Sequence, residues 1–245
     1  MSSLTRTLAM LEAIIAEDGT RSVAAVARDL GIPVATAHRQ VHSLVAEGYL
    51  ARHVRGFHIA GPRLMSLLSR FDEKQIIANA AAPVLHQLAG DVGCVVQLGT
   101  LETEMVTYRI KTGAGADGLF TRVGMQLEAY CSGIGKVLLA ALADREREDY
   151  LTGGPFPALT ARTIIHPEAL RAELAQVREK GYAVDDEEAA DGLYCISVPI
   201  HAPDGSVPAA ISLSQANVQA KEPVLRAGLP MLRIAARTIE AKAFG

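Results

Sequence analysis

The chain has no tryptophan, and aromatic residues make up only 4% of its 245 positions. Stacking of bases on aromatic platforms is therefore not its binding mode. Cysteine is scarce too. Cys94, Cys131 and Cys195 are odd in number and scattered in spacing, which argues for free thiols in a reducing cytoplasm and against a disulfide framework or a zinc site. No charge-free run approaches the roughly 20 residues a membrane-spanning helix needs. A signal-peptide layout is missing as well, because Glu12, Glu17 and Asp18 interrupt the first apolar stretch. Internal repeats and low-complexity segments are absent. Lysine does not occur in residues 1–70, where eight Arg and four His stand against five acidic residues, a net +3. The remainder carries 16 basic and 22 acidic residues, a net −6. An arginine-only segment ahead of an acidic one places a nucleic-acid face at the N-terminal end.

What is present begins with an apolar fraction of 49%, enough for one large core or two ordinary ones. The stretch Ser22 to Gly48 reads as two helices and a tight turn. Ser22 suits an N-cap. Val23, Val26, Ala27 and Leu30 form an apolar stripe, and Gly31 stands at a C-terminal cap. Pro33 suits the first turn of the next helix. That helix buries Ala37, Val41, Leu44 and Val45, and Gly48 ends it. Its other face holds Thr36, Arg39 and Ser43, flanked by His38, Gln40 and His42, donors of the kind that meet phosphates and base edges. A preceding helix over Leu4 to Glu17 presents Leu8, Leu11, Ile14 and Ile15. Two short strands follow, Tyr49–Arg52 and Gly56–Ile59, around a tip with His53 and Arg55. Three helices and a basic hairpin make a winged helix-turn-helix, with Arg52 and Arg55 as phosphate contacts.

Residues from Arg63 to about Lys74 read as a connecting helix, with Leu64, Leu67, Leu68 and Phe71 on one face suited to pairing with a second copy. Another helix runs from Gln75 to Ala89, and Pro83 marks a kink or break in it. From Gly93 strands take over: Cys94–Leu98, Glu104–Ile110 and Leu119–Val123. A small-residue loop, Cys131-Ser132-Gly133-Ile134-Gly135, then enters a helix. Charged and amphipathic helices are expected over Asp144–Leu151 and Pro167–Lys180, the latter with Leu170, Leu174 and Val177 inward. Strands Leu193–His201 and Ser206–Ser214 are joined by the turn Ala202-Pro203-Asp204-Gly205. A last helix spans about Lys221 to Ala243. The fold class is α+β.

Strand alternation separates two faces of the last hairpin. Tyr194, Ile196, Val198, Ile200, Ala209, Ile211 and Leu213 form a bulky apolar side; Cys195, Ser197, Ser212 and Ser214 form a small, hydroxylated one. Small polar residues leave room for a ligand with hydrogen-bonding needs. The loop at Gly133 adds backbone N–H groups at a helix start, which attract a carboxylate or phosphate. It is not a nucleotide P-loop: Tyr130 stands where a Gly is needed and Val137 where Ser or Thr is needed. The acidic run Asp185–Glu188 has no His at ligand spacing, so no metal or other cofactor is expected. No His is spaced to activate Cys131 or Cys195, so an enzyme is not expected.

The chain resembles IclR-type transcriptional regulators along nearly its whole length. The N-terminal resemblance lies in Thr36-Ala37-His38-Arg39, Leu44-Val45, Glu47-Gly48-Tyr49-Leu50 and Gly61-Pro62-Arg63-Leu64. The C-terminal one lies in Gly135-Lys136-Val137-Leu138-Leu139-Ala140, Arg162-Thr163-Ile164, and Gly181 to Glu188 leading to Cys195-Ile196. The resemblance implies a winged helix-turn-helix DNA-binding domain (1–62), a linker helix (63–75) and a GAF-like mixed α/β effector-binding domain (76–245). It implies a cytoplasmic homodimer, or a homotetramer as a dimer of dimers, on a double-stranded palindromic operator near catabolic genes. Repression and activation both remain open. Thr36, His38, Arg39, Ser43, Arg52 and Arg55 would contact DNA. Family effector contacts correspond to Gly133, Ile134, Asp185, Cys195, Ser212 and Ser214. Two departures stand out. Val34 and Ala35 replace the basic residue and Ser that usually open the recognition helix, which removes a phosphate contact. Leu127-Glu128-Ala129-Tyr130-Cys131 replaces the commoner Leu-Pro-x-His-Ala and looks more like members that sense aromatic acids. The rival readings are a small-molecule sensor or scaffold that no longer reads DNA, and an enzyme using the same pocket.

Overall fold

The structure is a computed structural model. It describes residues 2–69, 72–216 and 221–245, with side chains for all of these except 55 and 221–226. The chain forms two compact units, Met1–Phe71 and Asp72–Gly245.

The first unit holds α1 (Ser3–Ala16), α2 (Val23–Asp29), α3 (Val34–Ala46), β1 (Leu50–Arg52), β2 (His58–Ala60) and α4 (Pro62–Leu68). Ser22 caps α2, its hydroxyl accepting from the Ala25 N–H at 3.3 Å. Gly31 takes a left-handed φ of 64°, which lets the chain turn directly into α3. Met10, Ile14, Val23, Val26, Ala27, Ile32, Ala37, Val41 and Leu44 form the core. The α1 stripe therefore differs from expectation. Met10 and Ile14, one turn apart, point inward; Leu11 and Ile15 are half-buried and Leu8 is exposed. Leu30 is exposed as well, because the chain reverses at Gly31 and Ile32 fills the core in its place. Val45 is only half-buried. The hairpin pairs Leu50 with Ala60, Ala51 with Ile59 and Arg52 with His58.

The expected connecting helix over 63–75 is not one element. Helix α4 ends at Leu68, and α5 (Glu73–Val92) starts afresh at Asp72, whose carboxylate accepts from the Lys74 and Gln75 N–H groups. Phe71 lies outside the described residues. Helix α5 continues through Pro83, which lies on an exposed face of the helix and lacks the N–H for one helical hydrogen bond.

The second unit is built on one antiparallel sheet in the order β5-β4-β3-β8-β7-β6. Its strands are β3 (Val95–Glu102), β4 (Met105–Thr112), β5 (Gln126–Glu128), β6 (Ala183–Asp186), β7 (Leu193–Ile200) and β8 (Ala209–Ala216). Helix α5 and α9 (Lys221–Phe244) cover the bulky face, where Ile196, Val198, Ile200, Ile211 and Leu213 are buried. Helices α6 (Gly133–Ala141), α7 (Asp144–Thr152) and α8 (Pro167–Lys180) cover the other, with Leu170, Leu174 and Val177 inward as their spacing predicts. The last expected strand starts at Ala209, not Ser206, because the turn at Asp204–Gly205 occupies the preceding residues. Leu119–Val123 is not a strand. The Lys111 ammonium takes the carbonyls of Leu119 and Thr121, which a ladder would need, and β5 pairs with β4 instead.

Candidate functional site

On α3, His38, Arg39 and Ser43 are exposed and Thr36 is half-buried. The Ser43 hydroxyl donates to the Arg39 carbonyl at 3.2 Å, which sets the back of this face. Gln40 departs from expectation. It turns inward and its amide donates to the Ser3 carbonyl at 3.4 Å, because position 40 lies beside the inward-facing Ala37, Val41 and Leu44. Arg52 is exposed at the end of β1, opposite His58. Burial, then the charges of Arg52 and His38, hold the His58 imidazole below its ordinary pKa. Helix face and hairpin thus meet around one histidine. The Arg55 side chain lies outside the described residues; its backbone sits in the 3-10 turn Val54–Gly56. Val34 is exposed and α3 has no side-chain cap at Pro33.

In the second unit, strand register assembles the small polar face into rows. Asp185, Cys195 and Ser214 lie side by side on β6, β7 and β8. One row over, Ser197, Ser212 and Gln97 do the same on β7, β8 and β3. All six are buried. Helix α6 starts directly above them. Ser132 caps it, accepting from the Gly135 N–H at 3.1 Å, so the N–H groups of Gly133 and Ile134 have no intrahelical partner. Both glycines are sterically required. A Cβ at Gly133 would lie 2.6 Å from the Ser197 hydroxyl, and one at Gly135 would lie 2.1 Å from the Ala129 carbonyl.

The result is a small cavity of about 10 Å³, room for roughly one water. It is lined by Gly133, Ile134, Asp185, Cys195, Ser212 and Ser214, the six positions expected from sequence, and also by Gln97, Tyr108, Leu119, Phe120, Thr121, Ser132, Leu193 and Ser197. Leu119, Phe120 and Thr121 belong to the loop between β4 and β5. That loop is pinned by Lys111 and by the Gln97 amide, which donates to the Thr121 hydroxyl at 2.8 Å. The Gln97 carbonyl in turn accepts from Ser214 at 3.1 Å. The Ser197 hydroxyl is fully buried and has no partner.

Charge in the cavity is one-sided. Among the described residues no Lys, Arg or His lines it. Burial pushes the Asp185 carboxyl up to about 7, although the N–H groups of Glu188 and Ala189 donate to it at 2.8 and 3.3 Å. Burial also raises Cys195, which lies against Asp185 and Ser214, and moves Cys131 up to about 12, so neither thiol is a ready nucleophile. Behind the cavity, the fully buried Lys136 ammonium donates to Glu188, to Glu173 at 3.1 Å and to the Val184 carbonyl at 2.8 Å. The acidic run thus divides: Asp185 and Glu188 face inward, while Asp186 pairs with Arg162 at 2.7 Å on the surface. Nothing in the spacing of Gln97, Tyr108 or Lys136 announces a site, since each interrupts or follows an apolar run as an isolated polar residue. Among the described residues no cluster of His, Cys, Asp and Glu has the geometry to hold a metal.

Two family models match the chain. The one described as IclR helix-turn-helix domain covers residues 3–53, and the one described as bacterial transcriptional regulator IclR C-terminal covers residues 70–241. The Pca regulon regulatory protein of Pseudomonas putida is 31% identical over the whole of this chain and 85% of its own length. Among solved structures, the IclR protein of Thermotoga maritima is 26% identical, with a TM-score of 0.65 over 98% of both chains. An IclR homolog from Microbacterium hydrocarbonoxydans, complexed with 4-hydroxybenzoate, is 30% identical, with a TM-score of 0.63 over 99% of both.

Proposed function

Because this chain belongs to the IclR family of ligand-responsive, DNA-binding transcriptional regulators, we propose that its second unit senses a small organic acid of aromatic type. The observation that carries this reading is the convergence of six family-type positions on one buried cavity at an uncapped pair of helix N–H groups. A carboxylate is drawn to those donors by the partial positive charge of a helix start. Tyr108 and Phe120 supply the aromatic wall. The complex of a 30% identical relative with 4-hydroxybenzoate supports an aromatic acid. A cavity of one water's volume admits such a ligand only when the loop carrying Phe120 lifts.

On DNA, Arg39, His38, Thr36 and Ser43 enter a major groove, and Arg52 and Arg55 lie along the backbone. The working form is a cytoplasmic homodimer, with two recognition helices about 34 Å apart on a palindromic operator. Exposed Met65 and Leu68 on α4, and Leu4 and Leu8 on α1, are the apolar surface such pairing would cover. Free, buried thiols agree with a reducing compartment, and no helix among the described residues is long and apolar enough to cross a membrane. The ligand acts by binding the two arrangements of the DNA-binding units with different affinity.

The test is a band-shift titration of the chain on its own promoter fragment, with and without 4-hydroxybenzoate. A ligand-dependent change in operator affinity is expected. A second reading, a sensor that has lost DNA reading, is favoured by exposed Val34 where the family places a basic residue. Binding that stays weak and independent of salt would establish it, since phosphate contacts make true operator binding steeply salt-dependent.

A further inference from the structure

We propose that the cavity takes up its carboxylate ligand together with one proton, leaving Asp185 as a neutral carboxylic acid against the bound ligand. This rests on the reading of the cavity as a carboxylate site and extends it to the ligand's protonic cost.

Hydrogen-bond donors for a ligand line the cavity. The N–H groups of Gly133 and Ile134 open α6 toward the cavity, and the Ser197 hydroxyl, fully buried and without a partner, stands beside Gly133. An unpaired buried hydroxyl is costly unless something arrives to bond it. These groups suit a carboxylate oxygen. They are dipoles, however, and among the described residues no cation lines the cavity to balance a second negative charge.

Asp185 lines the same cavity. The groups that face it are Cys195 from β7, Tyr108 from β4, Cys131 from the turn before α6, Glu188 from the turn after β6 and Lys136 from α6. Burial holds both thiols and the phenol in their neutral forms. Lys136 is bonded to two carboxylates, Glu173 and Glu188, and so is already matched; the Lys111 ammonium is turned to the outer side of the cavity loop, on the carbonyls of Leu119 and Thr121. An incoming carboxylate therefore meets Asp185 in a cavity whose described lining residues include no cation. Two carboxylates in one low-dielectric site keep a shared proton, and the proton resides on one of them. Asp185 is already poised for this, its carboxyl lying at about 7 through burial. The proton comes from solvent, and no bond other than O–H is made. Below about pH 7 Asp185 already carries its proton, so binding takes up none and the affinity is flat. Above that, each unit of pH lowers the affinity about tenfold and uptake approaches one proton per site.

Titration calorimetry on the full chain tests this, run in two buffers of different ionisation enthalpy between about pH 5.5 and pH 8. The probes are benzoate and 4-hydroxybenzoate, each beside its uncharged amide. The expected result is uptake near one proton at the upper pH for the acids, none for the amides, and weakening with pH for the acids alone. In Asp185→Asn, uptake disappears and the pH profile of the remaining affinity is level. The amide comparison needs only wild-type protein, so it decides the matter even where that variant fails to fold. Acids that bind with pH-independent affinity and no proton uptake would overturn this inference and leave the carboxylate reading standing. Acids that fail to bind at every pH, whether or not the amides bind, overturn both.

Discussion

Ser43 and Ser197 are the same residue in opposite situations. Ser43 lies on the exposed face of α3, where water completes whatever the protein leaves unmade. Ser197 lies at the bottom of the cavity, wholly buried and unbonded. The contrast extends to the surroundings of each. The proposed DNA-reading face is polar because it is wet, so its side chains are free to be chosen for a partner. The cavity is polar although it is buried, so most groups there are constrained first by the fold. Substitutions on the first surface should therefore alter binding without altering stability, and those around the second that remove a bonded or tightly packed group should cost stability first.

The largest test of that division is Lys136→Met. It leaves Glu188 buried without its cation, and removal of one partner from a buried ion pair costs about 3–5 kcal/mol. Urea unfolding followed by circular dichroism reads this loss. A loss below about 1 kcal/mol would put the buried network on the footing of a surface ion pair and erase the contrast. Next comes Gly135→Ala. Its Cβ would be forced to within 2.1 Å of the Ala129 carbonyl, a backbone atom that cannot swing aside. Overpacking of this kind costs about 1–3 kcal/mol, and the helix start that carries the Gly133 and Ile134 N–H groups shifts with it. A melting temperature unchanged from wild type would show that the close approach is not needed.

These two positions also show where reading from sequence succeeds and stops. Alternation along Leu193–Ile200 and Ala209–Ala216 separates the apolar face from the hydroxylated one, because a strand has only two sides. Helical spacing finds Leu170, Leu174 and Val177 for the same reason. The small-residue loop points to Gly133 and the family resemblance adds Ile134 and Asp185; sheet register aligns Asp185 with Cys195 and Ser214, and the start of α6 brings Gly133 and Ile134 to the same cavity. Lys136 escapes because its partners are 37 and 52 residues away, and no local pattern encodes a fold-wide ion pair. The loop at Leu119–Val123 escapes because a side chain, Lys111, takes the carbonyls that β-branched sequence offers to a strand. In the first unit, Met10 replaces Leu8 in the core because two helical stripes are apolar on α1, and only the packed neighbours decide between them.

On the exposed side, Arg39→Ala should weaken operator binding by about 1–3 kcal/mol, or 5- to 150-fold, while stability stays within about 0.5 kcal/mol of wild type. The salt dependence of binding separates the two roles open to Arg39. A phosphate contact lowers the slope of log affinity against log salt by about one, whereas a base contact leaves the slope and relaxes sequence preference at one position. Loss of stability comparable to the loss of binding would show that the α3 face is as constrained as the cavity.

The smallest expected change in stability returns to the two serines. Ser197→Ala removes a hydroxyl that has no partner, so the fold loses no hydrogen bond and sheds a buried polar group. Stability should hold or rise by up to about 1 kcal/mol. Ser43→Ala removes an exposed hydroxyl that bonds only its own helix, and should also stay within about 0.5 kcal/mol of wild type. Unfolding alone thus cannot tell the two apart, and only the paired binding measurements can. Ser197→Ala should weaken the acid ligand several-fold and leave operator affinity untouched in the absence of ligand, because its hydroxyl faces only the cavity. Ser43→Ala should do the reverse. A Ser197→Ala protein that is markedly less stable would mean that the hydroxyl is bonded within the free protein, through a water in the one-water cavity, and the cavity would then be polar for the fold's sake and not for the ligand's.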